Sequence, residues 1–236
     1  MIEKQRIKLC NNIKIDNIIY KIVYLGGGRI IYMDCFKIDK DRGLIRYLNA
    51  LPSQKSVDIY VDNKLLYSDI KYKNFTPYMY IESIPYKIDI NEAGTKNVLI
   101  KTTVRLPDED IFTLGITGNN GQETIIVVDD DIEQKTSSTQ VVQRFVNLSP
   151  DLPIADIFYN NKQAVDNIDY RDQTLYDYIN PGDYTVSVKE DVSGRNLAVS
   201  SIQFKADRIY SIYIIGDPPN IELLQSVDGN TYACPR

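Results

Sequence analysis

The chain has 236 residues, with 27 basic and 32 acidic side chains, a net charge of −5 and 43% apolar residues, which fits one large domain or two small ones. It contains no histidine, so histidine-dependent triads, Cys–His pairs, His-ligated zinc and haem, and helical H-E-x-x-H sites are excluded. The acidic balance, with a pI near 4.9, argues against a nucleic-acid partner, because that affinity rests on lysine and arginine neutralising phosphates.

The first ten residues, Met1 to Cys10, lack the apolar core of a signal peptide, and no stretch reaches the roughly 18 apolar residues of a membrane span. The chain is therefore expected to be made inside the cell, without a membrane partner. Ile13-Lys14-Ile15-Asp16-Asn17-Ile18 and Ile19-Tyr20-Lys21-Ile22-Val23-Tyr24 alternate as strands; Gly26-Gly27-Gly28 then breaks the pattern before Ile30-Ile31-Tyr32-Met33. Residues 1–43 are too short to fold alone. They read as an N-terminal strand arm, either a strand pair added to the first domain or an arm that pairs with an exposed edge strand of a neighbouring subunit.

From residue 44 strand spacing repeats. Val57-Asp58-Ile59-Tyr60-Val61 alternates, and Asp62-Asn63 supplies a tight turn that tolerates positive φ. Ile111-Phe112-Thr113-Leu114-Gly115-Ile116 reads as a central, deeply buried strand. The acidic run Asp129-Asp130-Asp131 leads through Thr136-Ser137-Ser138-Thr139 to a second copy. There, Ala155-Asp156-Ile157-Phe158-Tyr159, Asn160-Asn161, the turn Asn180-Pro181-Gly182-Asp183 and the strand Tyr184–Val188 follow the same plan, with Ile209–Ile215 as the buried strand.

The two copies align without a gap at one offset. Arg46-Tyr47-Leu48-Asn49 pairs with Arg144-Phe145-Val146-Asn147, then Pro52 with Pro150, Asp58-Ile59 with Asp156-Ile157, and Asn63-Lys64 with Asn161-Lys162. Tyr72, Tyr78, Tyr80 and Tyr86 recur as Tyr170, Tyr176, Tyr178 and Tyr184. So long a period is a whole domain copied in tandem rather than a solenoid repeat. The expectation is an all-β chain: an arm over 1–43, one antiparallel β-sandwich over 44–131, a linker over 132–139 and a second sandwich over 140–236.

The stretch Arg144-Phe-Val-Asn-Leu-Ser-Pro-Asp-Leu-Pro-Ile-Ala-Asp-Ile-Phe-Tyr-Asn-Asn-Lys162, followed by Asp177-Tyr-Ile-Asn-Pro-Gly-Asp-Tyr-Thr-Val-Ser-Val188, resembles the bacterial domain-of-unknown-function family forty-three ninety-seven. The first copy departs from that pattern at Leu51-Pro52-Ser53 and at Ile84-Pro85-Tyr86. The resemblance implies immunoglobulin-like or transthyretin-like sandwiches, in tandem on surface or exported proteins, with no catalytic residues. It bears on fold more than on function.

Candidate chemistry is sparse. Cys10, Cys35 and Cys234 form no C-x-x-C pair. They read as reduced cysteines, with Cys35 a small buried residue; the sharper alternative is that Cys10 and Cys234 form a disulfide between subunits in an oxidising exterior. Gly26-Gly27-Gly28-Arg29 lacks the ending of a P-loop and reads as a flexible turn. Asp129, Asp130, Asp131 and Glu133 read as a solvated linker, with interdomain calcium as the alternative; Asp108-Glu109-Asp110 reads as an exposed turn. Asp58 and Asp156 read as residues that fix strand geometry, and the tyrosines as core or corner packing, with Tyr178/Tyr184 a strand-corner pair. Surplus surface tyrosines would suit self-association.

No catalytic, metal or cofactor site is assigned. The expectation is a non-enzymatic subunit whose partners are further copies of itself, with other coat or surface proteins as further candidates, in a surface layer, coat or fibre. The heavy use of Ile, Asn, Lys and Tyr is typical of AT-rich, clostridial-type genomes, which favours a spore coat or appendage on the spore or cell surface. The alternative is an adhesin-like module that binds a carbohydrate or peptide through sandwich-end loops.

Overall fold

The computed structural model describes residues 40–130, 134 and 137–233, and the backbone of 9–15, 18–25 and 28–36. Three strands form an N-terminal sheet: β1 (Leu9–Ile15), β2 (Ile18–Leu25) and β3 (Gly28–Phe36), paired antiparallel in chain order. Among the described residues it shares no ladder with either sandwich, so β1, β2 and β3 form a separate sheet rather than a strand pair added to the first sandwich. Leu25 pairs with Gly28; Gly26 and Gly27 fall outside the described residues.

The first sandwich has an inner and an outer sheet. The inner sheet contains β4 (Arg42–Asn49), β7 (Met79–Glu82), β10 (Ile111–Thr117) and β11 (Thr124–Asp129), in the order β11-β10-β4-β7. The outer sheet contains β5 (Val57–Val61), β6 (Lys64–Ile70), β8 (Tyr86–Glu92) and β9 (Val98–Val104), in the order β6-β5-β8-β9. The second sandwich repeats the plan. Its inner sheet runs β15 (Asp177–Ile179), β12 (Val141–Asn147), β18 (Arg208–Ile215), β19 (Glu222–Val227), and its outer sheet β14 (Lys162–Ile168), β13 (Ala155–Tyr159), β16 (Gly182–Glu190), β17 (Asn196–Phe204). No α-helix occurs among the described residues; a 3-10 turn at Gly229–Tyr232 follows β19.

Sequence alternation called for antiparallel sandwiches, and the outer sheets are antiparallel throughout. Each inner sheet, however, contains one parallel pair, β4 with β10 and β12 with β18. These strands are the first and a late strand of each repeat, joined by the outer sheet, so the chain has the length needed for a crossover. The Asn-rich hairpins behave as their chemistry requires: Asp62, Asn63, Asn160 and Asn161 all hold positive φ. Asp58 and Asp156 stay structural, accepting the backbone amides of Asp69 (2.8 Å) and Asn167 (3.0 Å). Tyr184 is the corner tyrosine, its hydroxyl donating to the Asn180 carbonyl at 3.0 Å.

Every residue of β10 and β12, and all but the first of β4 and β18, is buried. One face of each inner sheet meets its own outer sheet: Ile45, Tyr47, Phe112, Leu114 and Ile116 in the first core, and Phe145, Ile212 and Ile214 in the second. The other face meets the other repeat, through a third cluster of Leu48, Ala50, Ile126, Val128, Val146, Leu148, Tyr213 and Ile215. The two sandwiches together are therefore four sheets deep, with the two inner sheets face to face. The cores are filled differently. An apolar cavity of about 80 Å³ remains in the first, among Met79, Tyr86, Val104 and Leu106. In the second, Tyr159, Tyr184 and Phe204 pack ring to ring, with centroids 5.3, 5.7 and 6.2 Å apart.

Size is exchanged across the seam between repeats. The first repeat carries Ala50 and Gly115 where the second carries Leu148 and Tyr213. A Cβ on Gly115 would stand 2.8 Å from Leu148 Cδ1, so the glycine makes room for the leucine. Tyr213 instead fills space against Phe75, with ring centroids 5.8 Å apart. Gly115→Val is expected to destabilise the protein by about 1–3 kcal/mol through overpacking, and Leu148→Ala by about 2–5 kcal/mol through a cavity. In urea unfolding the double variant should cost clearly less than the two single costs together; simple additivity would show that these two positions do not share one space.

Candidate functional site at the seam between the sandwiches

An arginine lies at the middle of each inner sheet, on the face turned to the other repeat. Arg46 on β4 sits beside Thr113 on β10, and Arg144 on β12 beside Ser211 on β18. Each guanidinium uses Nε on that neighbour, at 2.9 Å to Thr113 Oγ1 and 2.8 Å to Ser211 Oγ. Each Nη1 crosses the seam to a main-chain carbonyl of the other repeat, Arg46 to Val227 (3.3 Å) and Arg144 to Asp129 (2.5 Å). The carboxylates cross as well: Arg46 Nη2 lies 3.6 Å from Asp228 Oδ1, and Arg144 Nη2 lies 3.2 Å from Asp130 Oδ1.

Within each repeat a tyrosine completes the group. The Tyr78 hydroxyl donates to Asp130 and the Tyr176 hydroxyl to Asp228, both at 2.8 Å. The same rings stack on the arginines of their own repeat, 4.8 Å from Arg46 Cζ to Tyr78 and 4.4 Å from Arg144 Cζ to Tyr176. Ser211 donates to Asp228 at 2.7 Å, and the Gly229 amide and Asn230 side chain close over Asp130. Two charges of each sign thus meet in a centre with an approximate two-fold relation between the repeats.

Asp130 and Asp228 are both 0% exposed. Burial, reinforced by Asp228 alongside, pushes the Asp130 carboxyl up to about 7, against the pull of Arg46, Arg144 and the Tyr78 hydroxyl. Burial alone would lower the Arg46 pKa, but Tyr78, Tyr213, Asp130 and Asp228 outweigh it and leave it raised, so the guanidinium stays charged. A carboxylate pair with one raised pKa would suit acid–base work in an open cleft. Here both carboxylates are buried, and the arrangement locks two sandwiches together.

The sequence-level assignments fall unevenly on this centre. Asp130 is buried at its heart, which corrects its reading as part of a solvated linker or calcium site; Asp129 contributes its carbonyl. Asp131, Glu133 and Cys234 lie outside the described residues, as does the side chain of Cys10, so the Cys10–Cys234 pairing is not located. Among the described residues no group of three or more acidic or cysteine side chains is placed to hold a metal, and no helix is long and apolar enough to cross a membrane. The ionic centre was missed, although its signal was present: Arg46/Arg144, Tyr78/Tyr176 and Asp130/Asp228 all recur at the repeat offset.

The family described as a domain of unknown function (DUF4397) matches the chain twice, over residues 43–154 and 143–234. No curated protein matches it. Among solved structures, the chain is similar to a carbohydrate-binding module of family CBM26 from Eubacterium rectale Amy13K, solved with maltoheptaose. The identity is 11% and the TM-score 0.26, covering 80% of this chain and 99% of that one. It is similar at the same identity and TM-score to a streptococcal virulence factor described by its alpha-glucan binding, covering 82% of this chain and 100% of that one. At such scores these likenesses carry no weight for a ligand here.

Two outcomes follow from the buried charges. Because Asp130 is raised from its ordinary 3.8 to about 7, the folded state holds its proton more tightly than the unfolded chain does. That contribution is fully present below about pH 4 and is lost as pH rises through 7. Urea midpoints between pH 5 and 7.5 should therefore fall for the wild type relative to Asp130→Asn, by on the order of 2 kcal/mol; parallel profiles would refute the raised pKa. Arg144→Ala removes the ion-pair partner of Asp130 and one of the two of Asp228 and should cost about 3–5 kcal/mol, against well under 1 kcal/mol for Arg195→Ala at an exposed pair with Glu190.

Proposed function

The chain belongs to the DUF4397 family, and we propose that it is a non-enzymatic structural subunit that assembles with copies of itself into a surface layer, coat or fibre. The observation that carries this reading is the N-terminal sheet. Among the described residues its strands β1 and β3 each pair only with β2, so each has one edge of backbone donors and acceptors without a ladder partner there. Strand β3 touches the turn at Gly229–Tyr232, and an open edge is a template for another chain. Exposed apolar side chains add to the case: Leu175 is 91% and Val192 94% exposed, both on the second sandwich.

A non-enzymatic role accords with the burial of the Asp130 carboxyl away from solvent. A spore coat or appendage is the host structure we favour, on the composition of the chain, and Cys10–Cys234 is the candidate bond between neighbours. A second reading, a module that binds a carbohydrate or peptide through loops, draws on an open cleft of about 480 Å³ beside the seam, lined by Arg144, Gln173, Thr174, Leu175 and Tyr176 among others.

Negative-stain electron microscopy of the purified chain, with and without reductant, tests the assembly reading. Ordered fibres or sheets are expected from the full chain and single particles from a form lacking residues 1–43. Single particles from the full chain under every condition would overturn it, and glycan binding by those particles would favour the second reading.

A further inference from the structure

Each sandwich sheet ends in edge strands, and nearly all of them are protected. In the inner sheets β7 has four residues and β15 three, too short to recruit a strand. The β11 and β19 edges are covered by the opposite repeat: Arg144 and Gln173 take the carbonyls of Asp129 and Val127, and Arg46 takes that of Val227. In the outer sheets β6 and β14 are irregular at two places against their neighbours, where β17 is irregular at one near its Asn196 end, and they carry Lys64 and Asp69, or Lys162 and Asp166. Bulges and charges on an edge discourage pairing.

The last two edges are counterparts, and they differ. Strand β9 carries Lys101, whose side chain is 75% exposed, and Arg105 follows its end. At the matching positions β17 carries Val199 and Gln203. Its nine residues, Asn-Leu-Ala-Val-Ser-Ser-Ile-Gln-Phe, include no charge and no proline, and Val199 is 55% exposed. The backbone direction is fixed by the neighbouring strand. Thr185 pairs with Ser201, but its own amide and carbonyl are engaged by Asn160 on the β13 side. The N–H and C=O of Ser201 therefore point away from β16, and by period two so do those of Val199 and Gln203. One of these groups, the Gln203 carbonyl, is met by Gln225 Nε2 at 3.0 Å. At the Asn196 end an open groove of about 310 Å³ lies between Leu197 and the Pro218-Pro219 turn.

We propose that β17 is the acceptor edge for the N-terminal sheet of a second copy of this chain, joined through the outer strand β1. This rests on the assembly reading and names its joint. Strand β3 runs on within six residues into β4 of its own sandwich, whereas β1 is the edge remote from that connection and so is the one that can reach a neighbour. Strand addition satisfies both open edges with main-chain hydrogen bonds and extends the four-stranded outer sheet by three strands. Donor and acceptor lie on different parts of the chain. The contact is therefore heterologous, each copy giving one sheet and accepting another, and it propagates unless its rotation closes a ring.

The test uses the full chain and three variants, read by sedimentation and negative-stain microscopy. Ser201→Pro removes an outward donor without touching the β16 ladder. Val199→Lys with Gln203→Arg installs on β17 the charges that β9 carries. Thr103→Pro makes the first change on β9, where Thr103 faces away from β8 because its partner Lys87 is engaged by Asp62. Circular dichroism and urea midpoints identify any variant that fails to fold. Wild type and Thr103→Pro should assemble, while both β17 variants should sediment as folded monomers of 27.0 kDa. If folded β17 variants assemble as wild type does, while removal of residues 1–43 abolishes assembly, the acceptor is wrong and the assembly reading stands. A wild type that stays monomeric at every concentration overturns both.

Discussion

Two guanidinium groups buried between two sheets set the terms for the rest of the molecule. Taking an arginine and a carboxylate out of water costs several kcal/mol each unless the partners are close and their hydrogen-bonding groups are occupied. Arg144 meets that requirement, and Arg46 meets it except at Nη2, which faces Asp228 Oδ1 at ion-pair distance without a hydrogen bond; both do so only when both repeats are present, because each takes a carbonyl and a carboxylate from the other. The docking of the sandwiches is therefore specific in register as well as favourable in apolar area. A slip by one residue would turn both arginines into the opposite core.

The centre is symmetric, while the apolar seam around it is not. Had the repeats kept identical residues, Ala50 and Gly115 would leave the seam underfilled in both halves, or Leu148 and Tyr213 would overfill it. The exchange of small for large across the seam, with Leu148 set over Gly115 and Tyr213 over Phe75, makes the first repeat complementary to the second rather than to itself. Polar groups in such a seam fix geometry, and the size match fixes partner identity. The same divergence continues into the cores, where one repeat keeps a small cavity and the other an aromatic cluster.

Period-two alternation, Asn turns and the gapless offset made the sandwiches legible, since each depends on residues a few positions apart. The parallel pairs β4–β10 and β12–β18 were not legible, because nothing local distinguishes a parallel partner in a strand buried on both faces. The arginines were hidden for the same reason. Alternation assigns Arg46 and Arg144 to the face away from the core, and that face is solvent in a lone sandwich; only the second inner sheet makes it an interior. Asp130 stands in the run Asp129-Asp130-Asp131, whose composition speaks for water, and its burial follows from a hydrogen bond of its amide to Ile111 that no local pattern encodes.

A seam that consumes both inner sheets leaves only outer surfaces for partners. The inner faces, and the inner edges β11 and β19, are occupied by the opposite repeat, so contact with other molecules falls to the outer sheets, the loops and the N-terminal sheet. Duplication would ordinarily present the same edge twice, and a chain with two open edges and one donor sheet would branch. Lys101 and Arg105 guard one copy, and Val199 and Gln203 leave the other unguarded. On the proposed joint, one donor and one acceptor per chain would make growth linear and directional. On that proposal, the difference between the two counterpart edge strands is what would separate an ordered fibre from a branched aggregate.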